Sequence, residues 1–522
     1  MPSGAAFFRN RARSDSIIWP TWCGVLLAAL LLYTSTANRG PQAQDSGWQQ
    51  LRIVTEQFEH PYGFPMYHPL QFYLGRLAIH VPSLIPAFAI TLVSSVAAAF
   101  TIANLTATLV LLTRRRAAAL IAVAAFMLSH TFWQHATYTE SYALVAACLS
   151  GEWLCLALYI RRRRSGYLPL MLLFNGLGIA THLLALLATP VDAVVIWHAW
   201  RRRRLSGRSA CLAAALWIVG SLPYTVPVVA QIVRTGDLSG TVQTALFSHY
   251  RDQVLNIHLS VRLLLLTAGF CFYNFPGLTL PFSVFGIGAR RSLPKTIKGF
   301  FIAELMIFSI FVLRYSIADQ YTFFFPSYMT LTVLAGAGLA RLWRRRHARC
   351  RRTLLVAATV TALWTPAVYI GTAKIMEHYG ALASMVKNKP YRDGYRTFFI
   401  PWGRGADEVQ RVIETVRENV GSDGLVLIQD RMQSFAIRYA QAVGSLPKSM
   451  KILEIAAPPN DELTAERRQA IAQSRSAGQS IVLVPIDRDN PDVDYLDVGW
   501  QRIGDLYKVA GVAPASDQPA AP

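Results

Sequence analysis

Charge is scarce in this chain, and negative charge scarcest. Of 522 residues, 16% are charged and only 30 are Asp or Glu. With 53% hydrophobic residues and a mean hydropathy of +0.31, so little polar surface excludes an ordinary soluble protein. The composition is that of a polytopic membrane protein. Cysteine is sparse too: Cys23, Cys148, Cys155, Cys211, Cys271 and Cys350 are the six, and none lies in the long C-terminal segment. That excludes a disulfide framework and a CxxC metal site there. No Gly-rich fingerprint opens a helix, which argues against a nucleotide-binding fold. No internal repeat is present, whereas transporters are commonly built from repeats.

Positive charge is plentiful but local. The formal net charge is +21, a value that in a soluble protein points to nucleic acid. From residue 373 onward 18 Lys+Arg face 19 Asp+Glu, while residues 1–372 hold 33 against 11. The excess lies in short clusters between hydrophobic runs, the pattern of a membrane topology signal.

Those runs give about eleven spans, near 17–36, 86–112, 117–133, 142–160, 167–181, 183–200, 209–233, 261–289, 299–315, one ending near 343, and 353–371. Placing Arg9, Arg11 and Arg13 in the cytoplasm puts 26 Lys+Arg in inside segments and six in outside loops. The six are Arg39, Arg52, Arg76, Arg234, Arg251 and Arg314. This bias predicts an N-in, C-out arrangement in an inner (plasma) membrane. The first span reads as a retained helix, because Pro41-Gln42-Ala43-Gln44 is a poor cleavage context. The expected organisation is a membrane domain over 1–372, a small soluble α/β domain with a parallel sheet over 373–510, and a disordered Ala/Pro-rich tail over 511–522.

The long polar interruption after the first span, 37–85, is the first outside loop. It carries Asp45, Glu56, Glu59, His60 and His68, with Pro and Gly to fix its turns. Titratable groups held beside a membrane make a candidate active site. Asp45 reads as a general base or metal ligand, or else as a helix cap. His60-Pro61-Tyr62-Gly63-Phe64-Pro65-Met66-Tyr67 is either a lid over a lipid head group or an interfacial aromatic belt. Glu140 lies in the next outside loop, as a second acid or a helix N-terminal acid. Together Asp45 and Glu140 could hold a divalent cation, Mg or Mn. Arg262, Arg314 and His182 are candidate phosphate-binding groups, the arginines alternatively snorkelling to the interface. Asp319 sits in the fifth outside loop. Glu152, Asp192 and Glu304 lie within spans, where acids are either functional or satisfy a neighbouring helix.

Several blocks share a pattern. Asp45-Ser46-Gly47 precedes the HPYGFPMY stretch; Trp133, Glu140 and Tyr142 precede a span; GLGIATHLLALLATP covers 176–190; ADQYTFFFPSYM covers 318–329; DGYRTFF and GLVLIQD follow the last span. In this order and sidedness the chain resembles the GT-C integral-membrane glycosyltransferases, within them the protein O-mannosyltransferase-like family with a DSG…HPPGYPLY first loop. Trp48 stands where that family's pattern has an acid, and Tyr62 where it has proline.

The resemblance implies a polyprenyl-phosphate monosaccharide donor, mannose-like, and transfer with inversion to an acceptor hydroxyl on the extracytoplasmic face. The acceptor would be a protein, a lipid or a glycan. It implies that Asp45 acts as base or acceptor-orienting group, with Gly63, Tyr67 and Asp319 in the matching blocks. Arg262, Arg314 or His182 would hold the leaving phosphate, and His60 would assist either partner. A transporter or lipid flippase and a non-catalytic envelope scaffold are the rival readings.

Overall fold

The computed structural model describes residues 4–60, 63–289, 292–315, 317, 319–345, 348–383, 386–455, 465–488 and 498–510. Pro61, Tyr62, Ala318, the 461–464 part of the last expected helix and the tail expected to be disordered lie outside the described residues.

The membrane part is helical throughout. Helix α1 (Gly4–Thr36) leads to α2 (Gln44–Val54) and α3 (Pro69–Ala78). There follow α4 (Pro86–Thr113), α5 (Arg116–Met127), α6 (His130–Thr137), α7 (Tyr142–Arg162), α8 (Tyr167–Thr181), α9 (Thr189–Arg201) and α10 (Gly207–Thr235). After α11 (Leu238–Leu246) and α12 (Arg251–Val254) come α13 (Val261–Asn274), α14 (Thr279–Gly288), α15 (Lys295–Arg314), α16 (Phe325–Arg345) and α17 (Ala348–His378). Among the described residues seven helices are long and apolar enough to cross a membrane, or nine if each of two bent pairs is one span. α8 is apolar but short. α4, α7 and α16 are at least 78% buried and form the centre, while α1, α10 and α17 present most of their surface outward. In a bilayer those outward faces meet lipid.

Both bends have local causes. α5 and α6 meet at 67°, α13 and α14 at 106°. Pro276 and Gly277 follow α13, and proline cannot continue its hydrogen-bond ladder. Asn274 then ties the two breaks together. Its Oδ1 accepts from the backbone N–H of Thr131 at 2.8 Å, and its Nδ2 donates to Thr131 Oγ1 at 3.1 Å. Thr131 lies in the first turn of α6, where backbone N–H groups lack intrahelical partners. α8 and α10 cross at Gly176 and Gly220. A Cβ on Gly176 would stand 2.3 Å from the Trp217 carbonyl, so only glycine allows this approach.

Segment 37–85, expected as an outside loop, is largely helical. α2 and α3 lie within it, joined by a 3-10 turn at Phe64–Met66. Arg52, wholly buried, clamps this arrangement. Its guanidinium donates to the carbonyls of Met66 (3.1 Å) and Phe58 (2.5 Å) and lies 5.1 Å from the Phe72 ring centre.

The C-terminal part holds α18 (Gly394–Phe399), α19 (Glu408–Asn419), α20 (Arg431–Ala442) and α21 (Ala465–Ser476) around one five-stranded sheet. Its strands are β1 (Leu425–Ile428), β2 (Lys451–Glu454), β3 (Ile481–Val484), β4 (Trp500–Ile503) and β5 (Leu506–Val509), in the order β2-β1-β3-β5-β4. β1 pairs in parallel with β2 and β3. β5 is antiparallel to β3 and β4, an edge hairpin absent from the all-parallel expectation. Val409, Val412 and Val416 of α19 and Ile437 of α20 cover one face of β1 and β3; Ile471 of α21 packs on the other. The sheet unit sits on α2: Trp48 lies 4.8 Å from Phe435, within a cluster including Leu51 and Tyr439.

Candidate active site

A cavity of about 480 Å³ opens where α2, the turn between α6 and α7, the turn before α16 and the segment after α17 come together. That volume suits a small ligand. Asp45, Glu140 and Asp319 all line it, joined by Tyr142, Tyr321 and Arg392.

Local structure places each acid. Gln42 is the keystone. Its Nε2 donates to Thr91 on α4, its Oε1 accepts from the Thr139 backbone, and its own N–H is taken by Gln50 Oε1, each at 2.9 Å. Gln44 then adopts φ +58°, a left-handed conformation uncommon outside glycine, and turns the chain into α2. Asp45 follows in the first turn of α2. The helix cap is Ala43, so Asp45 does not serve as one. Among the described residues its carboxylate takes part in no hydrogen bond or ion pair, and it faces the cavity. Glu140 is locked by its backbone to Ser94 Oγ, and its Oε1 accepts from Ser46 Oγ at 2.8 Å.

The three acids are electrostatically linked. Burial, then the charge of Asp319, pushes Asp45 up to about 6. Burial and the charge of Asp45 push Glu140 up to about 8, against the pull of the Ser46 hydroxyl. Asp319 is also raised by burial. At neutral pH Asp45 is therefore ionised while Glu140 keeps its proton. A pair of carboxyls driven apart in this way is equipped for acid–base chemistry.

The three carboxyls do not gather into a ready metal site. Among the described residues the one group of three carboxyls within ligand reach of each other is Glu152, Asp192 and Glu304, elsewhere in the bundle. The oxygen-only donor set of Asp45 and Glu140 suits Mg or Mn, but one Glu140 oxygen is already taken by Ser46.

The remaining expected residues lie outside the cavity wall. His60 packs edge-on to Trp48 at 5.2 Å, and burial, with Arg52 and Arg431 nearby, pushes it down to about 3, so it stays neutral. Gly63 holds φ +85°, and a Cβ there would meet Ser248 Oγ at 2.7 Å; it shapes the turn. Tyr67 packs between Phe58 and Phe64. Arg314 donates to the Asn256 carbonyl at 3.1 Å and lies over Phe311. Arg262 is exposed on the first turn of α13. His182 reaches the site indirectly: it stacks on His68 at 5.2 Å and lies 5.4 Å from Tyr142, whose other side faces the cavity.

Residue-by-residue reading missed Arg392, His135 and Tyr321. Arg392 supplies a cation to the cavity, and its Nη1 reaches Gln44 Oε1 at 3.4 Å, one residue from Asp45. The one signal was its position immediately before the DGYRTFF block.

Residues 45–206, beginning at Asp45 itself, match the family model described as protein O-mannosyl-transferase TMEM260 N-terminal domain. Over this stretch the chain is similar to that O-mannosyl-transferase domain. The matched stretch includes Asp45, Glu140 and His182, together with α2 to α9. Its fold is similar to that of ArnT from Cupriavidus metallidurans, solved bound to undecaprenyl phosphate: 14% identity, TM-score 0.56, covering 94% of this chain and 97% of that one. The apo form of ArnT gives 13% identity, TM-score 0.56 and the same coverage. Among curated proteins none matches the sequence.

Proposed function

We propose that this GT-C enzyme transfers a mannose-like monosaccharide from a polyprenyl-phosphate donor to an acceptor hydroxyl, with Asp45 as base. The observation that carries this is the ionised, unpartnered Asp45 carboxylate facing an aromatic-walled cavity beside Arg392. The acceptor O–H hydrogen-bonds to Asp45, which takes its proton as the oxygen attacks the anomeric carbon. The anomeric carbon–oxygen bond to phosphate breaks on the opposite face, so the configuration inverts. Polyprenyl phosphate leaves as an anion, and the Arg392 guanidinium balances its charge through charge-assisted hydrogen bonds. Glu140, protonated, donates to a hydroxyl of the bound sugar. Asp319 holds the negative potential that keeps Asp45 basic. A Mg or Mn ion, where bound, would be held by Asp45 and the free oxygen of Glu140 and would supply further positive charge to the leaving phosphate.

The donor class draws support from the ArnT-like fold, since that protein was solved with undecaprenyl phosphate. The arrangement in the membrane follows the positive-inside bias. Eleven spans result when each bent pair counts once and α8 and α9 each count as short spans, with α1 starting inside. The cavity and the sheet unit then lie on the extracytoplasmic side of an inner membrane. The acceptor is a soluble or surface hydroxyl reaching the cavity there. The test is sugar transfer by the purified protein across a panel of polyprenyl-phosphate sugars and membrane-extract acceptors. Transfer from at least one donor supports the reading; neither transfer nor donor hydrolysis with any of them contradicts it.

A further inference from the structure

Three carboxyls that the proposed reaction leaves unused meet inside the helix bundle. Glu152 lies midway along α7, Asp192 in the first turn of α9 and Glu304 midway along α15. All three are fully buried, and one oxygen from each lies within 4.8 Å of the others. None lines the cavity that holds Asp45.

Their hydrogen bonding is incomplete. Both oxygens of Glu304 are buried with no hydrogen-bond partner, and Asp192 and Oε1 of Glu152 have none outside the cluster, Glu152 and Asp192 being bonded to each other. From outside the cluster, among the described residues, Asn175 alone reaches it, its Nδ2 donating to Glu152 Oε2 at 3.2 Å. That amide cannot be turned round. Trp217 Nε1, a donor only, binds Asn175 Oδ1 at 2.9 Å, and Thr189 Oγ1 binds it at 2.8 Å. So the one neighbouring amide offers the cluster a donor, and one oxygen from each of the three carboxyls lies within 4.8 Å of the others. Among the described residues no ion pair engages any of the three acids.

Carboxyl oxygens left bare in a membrane interior are costly, and such groups normally find a partner. Here three helices bring them to one point rather than to separate partners. Three carboxylate oxygens are hard donors, suited to Mg, Mn or Ca rather than to a thiophilic metal. Calcium–oxygen distances of roughly 2.3–2.6 Å match oxygens spaced this closely, and the smaller Mg or Mn would draw them slightly together. We propose that Glu152, Asp192 and Glu304 bind one hard divalent cation, which fastens α9 and α15 to α7. The ion offsets two negative charges, and one retained proton offsets the third. Its role is structural, remote from sugar transfer.

Mn(II) is the probe. The background protein carries Asp45→Asn and Glu140→Gln, which removes the acids of the cavity from the count. Stripped with chelator in detergent and dialysed, it is expected to take up about one Mn(II) per chain by electron paramagnetic resonance. Adding Asp192→Asn and Glu304→Gln should abolish that uptake. Equal uptake in both proteins, or none in the background protein, overturns the proposal. Should the fourfold variant fail to fold, the melting temperature of the stripped background protein decides. Mn(II) should raise it by several degrees and chelator should reverse the gain. A melting temperature that responds to pH but not to Mn(II) means that protons alone hold the cluster, and likewise overturns it.

Discussion

Ser46 Oγ donates to Glu140 Oε1 at 2.8 Å, and Ser46 is the immediate neighbour of Asp45. The bond joins the two acids whose proton affinities the cavity drives apart. It favours the charged form of Glu140 and so restrains burial and the charge of Asp45, which push the other way. In Ser46→Ala that restraint is gone, and Glu140 holds its proton to higher pH. The alkaline limb of the pH profile for kcat/KM should move upward, with the acid limb little changed. An unshifted alkaline limb would separate Glu140 from that limb.

The parent enzyme should show a bell-shaped profile. Asp45 is raised to about 6, so activity should climb through that pH as the base ionises. Glu140 is raised to about 8, so activity should decline through that pH as its proton is lost. Glu140→Gln, which keeps a donor at all pH values, should flatten the alkaline limb. The measurement is initial transfer rate against pH under kcat/KM conditions.

Arg392 is expected to hold the donor phosphate. Losing a charge-assisted hydrogen bond costs about 1.5–3 kcal/mol, so Arg392→Ala should raise the donor KM by roughly 10- to 100-fold. Arg392→Lys should recover part of this, because a lysine keeps the charge but loses the planar fork. Arg262→Ala and Arg314→Ala, at residues outside the cavity wall, should leave the donor KM near that of the parent. A steady-state titration with donor separates the three.

Arg52 is a prediction about stability. Arg52→Met keeps the apolar stem but leaves the carbonyls of Met66 and Phe58 without their donor. Each buried unsatisfied group costs about 1–3 kcal/mol, so the variant should melt several degrees lower in detergent. An unchanged melting temperature would show that segment 37–85 is held by its aromatic packing alone.

Part of the candidate site was legible in the sequence because its acids sit at the ends of apolar runs. Asp45, Glu140 and Asp319 each follow or precede a span on one side of the positive-inside pattern, and one cavity unites them. Arg392 was not legible. It lies some 350 residues from Asp45 in sequence, and only the packing of the sheet unit on α2 brings them together. His60, Gly63 and Tyr67 stood out for their chemistry, yet the structure uses them to shape the segment around Arg52. The helical character of that segment was masked by its polarity: α2 buries Trp48, Leu51 and Ile53 among glutamines that are themselves buried. The β4–β5 hairpin had a signal, the pair Gly504-Asp505 between two alternating strands, with Gly504 at φ +63°. Among the described residues seven of the apolar runs coincide with long helices, whereas α8 has 15 residues and α9 13, fewer than the roughly 20 of a straight crossing.

The most direct test of the central claim is sugar transfer by Asp45→Asn beside the parent, both shown to be folded by melting temperature and gel filtration. Asn keeps the shape of the side chain but cannot take a proton. Loss of a general base costs typically 10²–10⁴-fold, so transfer should fall by about that factor while donor binding persists. Equal rates in the two proteins would contradict the account and remove Asp45 as the base.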